Sequence, residues 1–207
     1  MLVKMTLEEF GDVLGSDAPA PGGGSVAALS GALGAELVAM VCRLSIGRKD
    51  LEAHAQEIKT GLLEADGLAA GLMRRVDLDT EAFNAVMAAF KLPKATDAEK
   101  QKRAEAIQTG YKDAVQSPLS IARECVSVLN LSKSLLGKTN PNALSDLGVA
   151  AQQAYAGLEG AIMNVKINLP SIKDQQFNSA TSVEVSQLLK CGREAKDDVY
   201  NFVSEKL

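Results

Sequence analysis

Apolar residues recur along this chain at intervals of three and four rather than two, so the pattern predicts helices and no strand series. Thr6 and Glu9 have the spacing of a capping box, opening a short helix to about Leu14. A Pro-, Ala- and Gly-rich loop covers Ser16 to Gly24. A long apolar helix is predicted from Ser25 to about Ile46, with Ser25 as its N-cap. Ser30, Gly31, Gly34 and Ala35 give that helix a small face, as expected at the centre of a bundle or at a dimer seam. The next helix runs from about Leu51 to Val76 and either continues or restarts at Asp79. Phe83, Val86, Met87 and Phe90 then form an i, i+3, i+4, i+7 stripe that ends before Pro93. A second capping box, Thr96 with Glu99, opens a helix to about Val115. Pro118 is read as the first residue of another helix, ending near Leu136 and Gly137. Asn140-Pro141 starts a helix to about Asn168, before Pro170, and the last helix is placed at Ser182 to Val203. The expectation is one all-α domain, residues 1–207, of about seven helices.

Composition narrows the chemistry. A net charge of −4 gives no electrostatic reason to expect nucleic acid or an anionic membrane as partner. Five Phe, three Tyr and no Trp offer few stacking platforms for single strands. Three widely spaced cysteines, Cys42, Cys125 and Cys191, read as free thiols in a reducing, cytoplasmic setting. The single histidine, His54, excludes a multi-histidine metal site and disfavours a Ser-His-Asp machine. No metal site is expected. The N-terminal residues Met1 to Phe10 turn acidic too soon for a signal peptide. Val26 to Ile46 is the most membrane-like stretch, but Glu36 and Arg43 interrupt it, and a buried core helix is expected instead.

The sharpest local feature is Asp17-Ala-Pro-Ala-Pro-Gly-Gly-Gly-Ser25. Three consecutive glycines before a helix suggest that the chain uses their conformational freedom and brings backbone N–H groups up to a ligand. A plain turn with a capped helix is the alternative. Gly22, Gly24 and Ala27 match a loose dinucleotide fingerprint, yet two prolines stand where its strand belongs and no parallel-sheet pattern follows. Asp77 and Asp79 before the Phe83 stripe, and Lys91 and Lys94 after it, are consistent with compensation of a helix dipole. Asp146, Gln153, Gly157, Asn164 and Asn168 share one face of their helix. Asp146 and Asn164 stand about 27 Å apart along it, so they share one small site only if a second subunit brings the other end near.

Taken in order, the motifs resemble those of the cyclodeaminase/cyclohydrolase family, found as the C-terminal domain of formiminotransferase-cyclodeaminase and as free-standing methenyltetrahydrofolate cyclohydrolases. They are Asp-x-Pro-x-Pro-Gly-Gly-Gly-Ser-x-Ala-Ala at 17–28, Gly47-Arg48-Lys49, and Asp77-x-Asp79-x-x-Ala82-Phe83-Asn84. Leu92-Pro93-Lys94-x-Thr96, Ser145-Asp146-x-x-Val149-Ala150-Ala151 and Gly160-Ala161-x-x-Asn164-Val165-x-Ile167-Asn168-Leu169 complete the set. The resemblance covers essentially the whole chain. It implies an all-helical, intertwined homodimer acting on a tetrahydrofolate derivative, with no cofactor beyond that substrate. Asp79 with Lys94 is expected to move the proton. Gly22, Gly23, Gly24 and Ser25 would donate backbone N–H groups, and Lys49, Asp77, Ser145, Asp146, Asn164 and Asn168 would contact substrate. Hydrolysis of 5,10-methenyltetrahydrofolate is the first expectation, because no formiminotransferase domain is attached. Formiminotetrahydrofolate cyclodeaminase is the second, and a non-catalytic folate-binding helical dimer the third.

Overall fold

The computed structural model describes residues 1–207 and contains helices and no strands. Six α-helices make the bundle: α1 (Leu7–Leu14), α2 (Gly23–Arg43), α3 (Ala55–Phe90), α4 (Asp97–Ser134), α5 (Leu144–Asn168) and α6 (Gln175–Ser204). Short 3-10 turns at Leu2–Lys4, Lys49–His54, Pro141–Ala143 and Leu169–Ser171 join or precede them. Both capping boxes form, with Thr6 and Thr96 each accepting from the backbone of the glutamate three residues on.

The expected count of seven falls to six because Pro118 does not start a helix. It lies inside α4, which passes straight through it, and it is buried. Proline in a helix interior removes one hydrogen bond and is tolerated only where tertiary structure compensates. The restart considered at Asp79 does not occur either, since α3 is continuous to Phe90. α6 begins seven residues earlier than the pattern indicated, at Gln175, where the Asp174 side chain accepts from Phe177 N–H as its cap.

The apolar α2 is the central helix, packed between α3 and α5, with α4 behind them and α6 closing over α4 and α5. It is the one helix long and apolar enough to cross a membrane, and its alanines and valines lie in the core. Its small face is an intrachain seam. A methyl group built on Gly34 would sit 2.8 Å from the Ala150 carbonyl oxygen, and one on Gly157 would sit 2.7 Å from that of Ala27. Only hydrogen fits at these crossings, so α2 and α5 run backbone against backbone. They are antiparallel: Gly23 lies beside Asn164, and Gly34 beside Ala150 and Ala154.

The opposite edge of the same pair has no cover. Val26 and Leu33 of α2 and Leu44 at its C-cap, with Val149, Met163 and Ile167 of α5, are 38–76% exposed. Six large apolar side chains on one two-helix face exceed the scattered exposure that a soluble surface normally shows.

Candidate active site

The start of α2 departs from expectation in an instructive way. Its N-cap is Gly22, in extended conformation, and no side chain on the turn caps it. Ser25 is not the cap. It is fully buried inside the helix, and its hydroxyl donates to the Val76 carbonyl of α3 at 2.8 Å. The glycines do not use left-handed freedom either, since the only glycines with positive φ are Gly47 and Gly137. What Gly24 supplies is space. A methyl group there would overlap all three atoms of the Asp79 carboxylate.

Asp79 thus lies against the bare N-terminal turn of α2, where helix N–H groups lack intrahelical partners. The Ser25 N–H stabilises its ionised form, but burial is the larger effect and pushes its carboxyl above the ordinary range. A half-buried carboxyl with a raised pKa, held by an α-helix from below, is suited to take and return a proton.

Asp79 stands at the head of a cleft of about 240 Å3 between α3, α4 and α5. Phe83, Val86, Met87 and Phe90 form one wall, Tyr111 and Ala114 the second, and Asn164 and Asn168 the third. The stripe legible in the sequence therefore faces this cleft: Phe83, Met87 and Phe90 remain 36–43% exposed. Tyr111, which the sequence reading missed, meets Phe90 edge-on at 6.1 Å between ring centres. Its only signal was that of an isolated aromatic in a polar stretch of α4.

The two asparagines have a fixed orientation. Asn164 Nδ2 donates to the Gly160 carbonyl at 2.8 Å, and Asn168 Nδ2 donates to the carbonyls of Asn164 at 3.0 Å and Ala114 at 3.3 Å. Carbonyl neighbours only accept, so each NH2 must face them. The Asn164 Oδ1 is left without a donor in the chain, and its amide lies beside Gly23 on the cleft wall.

The remaining expected residues lie elsewhere. Asp77 is turned to the N-terminal segment, where its Oδ1 accepts from Leu2 N–H at 2.5 Å. Lys94 is exposed in the loop after Phe90 and does not line the cleft. Asp79 precedes Phe90 by eleven residues of α3, about 16 Å of helix. Within one chain Lys94 therefore stands outside the cleft that Asp79 heads. Lys49 lines a larger, more open hollow of about 490 Å3 with Arg48, Lys59 and Glu52, beyond the C-terminal end of α2. Ser145 and Asp146 open α5 at this same end, where Asn140 N–H donates to Ser45 Oγ at 2.8 Å. Size alone would favour this hollow, but the half-buried, desolvated carboxyl is in the smaller one. Between the two ends run the 21 residues of α2, about 30 Å. No group of three or more His, Cys, Asp or Glu is arranged to hold a metal.

An all-α bundle with a desolvated carboxyl at the head of an aromatic-lined cleft defines a class: a helical protein equipped for acid–base chemistry on a flat, partly apolar ligand. Comparison with known proteins gives that class a family. A profile of formiminotransferase-cyclodeaminase matches residues 6–187. The methenyltetrahydrofolate cyclohydrolase of Methylorubrum extorquens is 42% identical over 98% of this chain and 97% of its own. The formimidoyltransferase-cyclodeaminase of Gallus gallus is 37% identical over 91% of this chain, which spans 35% of that longer protein. A crystal structure of formiminotetrahydrofolate cyclodeaminase from Thermotoga maritima matches the fold with a TM-score of 0.89, at 24% identity over 99% of this chain and 98% of its own. The chain belongs to the formiminotransferase-cyclodeaminase family.

Proposed function

We propose that this protein is a methenyltetrahydrofolate cyclohydrolase of the cytoplasm, hydrolysing 5,10-methenyltetrahydrofolate to 10-formyltetrahydrofolate with no cofactor beyond the substrate. The observation that carries the reading is the Asp79 carboxyl, desolvated yet held against the N-terminus of α2 at the cleft head. The higher identity to a cyclohydrolase, 42% end to end against 37% and 24% for the two cyclodeaminases, favours this activity.

In the proposed reaction the pterin end of the ligand enters the cleft between Phe83 and Tyr111, with an N–H donated to Asn164 Oδ1. Asp79 takes a proton from water as the oxygen bonds to the methenyl carbon. It returns that proton to N5 as the carbon–N5 bond breaks. The new hydroxyl loses its own proton to solvent as the formyl C=O forms, so one proton is released overall. With about 16 Å of α3 between Asp79 and Phe90, proton transfer is assigned to Asp79. Lys94 is assigned to the anionic outer end of the ligand.

The uncovered face of α2 and α5 is proposed to bind a second copy. A two-fold axis through its centre, perpendicular to α2, sets the Lys49, Ser145 and Asp146 end of one copy beside the Asp79 cleft of the other. The roughly 30 Å between the two groups of motif residues is then closed by symmetry.

The deciding experiment follows the methenyl absorbance band with purified protein. Accelerated loss over the buffer rate supports the cyclohydrolase. Appearance of the band from 5-formiminotetrahydrofolate, with ammonia, assigns the cyclodeaminase instead, and folate binding without either change leaves only a binding protein. Light scattering on wild type and Leu33→Glu tests the second copy: a wild-type monomer refutes it.

A further inference from the structure

Pro118 has no N–H, so the Ala114 carbonyl, four residues earlier in α4, has no helical partner. The structure supplies one from another helix, because Asn168 Nδ2 of α5 reaches that carbonyl at 3.3 Å while also donating to Asn164 O. Ala114 itself lines the cleft, and so does Tyr111 one turn before it.

We propose that Asn168 is a positioning residue: by taking the carbonyl that Pro118 frees, it fixes the Tyr111–Ala114 wall of the cleft relative to α5. The surrounding contacts leave this stretch of α4 few other ways to move. Gln108 Nε2 donates to the Ser171 carbonyl at 3.0 Å, and its Oε1 accepts from Lys173 N–H at 2.8 Å. Lys112 pairs with Asp174 at 2.8 Å. All three of these bonds tie α4 to the turn after α5. The Asn168 amide is the one that ties it to α5 itself, beside Asn164 and one side of the cleft. Proline at 118 gives that bond its weight, since without the Asn168 amide the Ala114 carbonyl lacks the donor that an unbroken helix supplies.

The test is a double-variant cycle of Asn168→Ala and Pro118→Ala, read in Tm and in steady-state kinetics. The kinetic readout rests on the proposed cyclohydrolase activity. Inactive wild type refutes that activity before any variant is compared. In the Pro118 background, Asn168→Ala is expected to lower Tm by about 3–6 °C and raise KM about tenfold, the equivalent of about 1.4 kcal/mol. In the Pro118→Ala background the Ala114 carbonyl accepts from a restored N–H. Adding Asn168→Ala there is expected to raise KM by no more than about threefold, the share owed to its own place on the cleft wall, and to lower Tm by under about 2 °C. Equal effects in both backgrounds overturn the proposal, because the carbonyl freed by Pro118 is then not what makes Asn168 matter. A fall in Tm with KM unchanged also overturns it, as a merely structural bond does that. If Asn168→Ala alone does not fold, the double variant must fold and stay within about threefold of the KM of Pro118→Ala. Failure to fold refutes the idea.

Discussion

Gly24→Ala isolates the geometry of the proposed reaction from its chemistry. The methyl group would occupy the place of the Asp79 carboxylate, so that carboxylate must withdraw by about 1 Å to reach van der Waals distance. Withdrawal weakens the contact with Ser25 N–H, a charge-assisted bond of about 1.5–3 kcal/mol. Alanine in place of glycine in the first turn of a helix returns up to about 1 kcal/mol. Stability is therefore expected to fall by only about 1–2 kcal/mol, and the protein folds. Turnover is more sensitive, because a 1 Å misplacement of a reacting group costs about 10²-fold. The expected result is a loss of about 10²-fold in kcat with a modest change in Tm, measured by decay of the methenyl band and by thermal unfolding. Gly67→Ala is the control: it is exposed on α3 with nothing within 4 Å of an added methyl. It should keep full activity and gain about 0.5–1 kcal/mol. If Gly24→Ala kept kcat within about twofold while Asp79→Asn abolished it, the carboxylate would not need its seat on α2, and the positional argument would fail.

Asp79→Asn should lower kcat by about 10²–10⁴-fold in the same assay. It should also raise Tm above pH 7: a carboxyl with a raised folded pKa stabilises the fold when protonated and loses that contribution as pH rises through the folded pKa. The gain should shrink as pH falls toward the unfolded carboxyl pKa, and equal Tm values at pH 8 would contradict this. For wild type, the acid limb of the kcat profile should lie above the ordinary carboxylate range, and should vanish in Asp79→Asn. Gly157→Ala, whose methyl would meet Ala27 O at 2.7 Å and Cys125 Sγ at 3.0 Å, should destabilise by about 2–3 kcal/mol in urea titration. Of the three thiols only exposed Cys191 should react with a thiol reagent in the native protein, since burial pushes Cys42 up to about 11 and Cys125 up to about 12. All three should react once it is unfolded.

Helices whose signals are local were readable in the sequence. Thr6 with Glu9, and Thr96 with Glu99, announce α1 and α4 because a capping box involves only neighbouring residues. Pro118 misled for the opposite reason: its compensation comes from Asn168, fifty residues on and in another helix. The glycine turn was legible as a feature but not as a mechanism. Local reasoning assigned its glycines to backbone freedom, whereas Gly24 is constrained by Asp79, which sits fifty-five residues away in sequence and directly against it in space. The cleft behaves the same way. Its α3 wall has a helical period and could be read, while Tyr111 and Ala114 enter through tertiary packing that no single-segment pattern encodes.

The separation of the motifs along α2 limits how any single copy can work. Its N-terminal end has the desolvated Asp79 carboxyl and Asn164, but few cations for an anionic ligand. Its C-terminal end has Lys49 and Lys59 in a roomy hollow, but the carboxylate that lines it, Glu52, is exposed. A folate derivative is flat and apolar at one end and anionic at the other, so it needs both kinds of surface within one molecular length. Helix rigidity forbids a bend of α2 that would unite them. The proposed antiparallel second copy on the Val26, Leu33 and Met163 face would do so without distorting any helix, and would bury that apolar face at the same time. The arrangement has a sharp consequence for mixed dimers. Asp79→Asn and Lys49→Ala, each impaired alone, should recover activity when unfolded together and refolded. One of the two sites in a mixed dimer then takes both its Asp79 and its Lys49 from undamaged positions. A site contained within one chain gives no recovery, because every chain in the mixture bears a lesion.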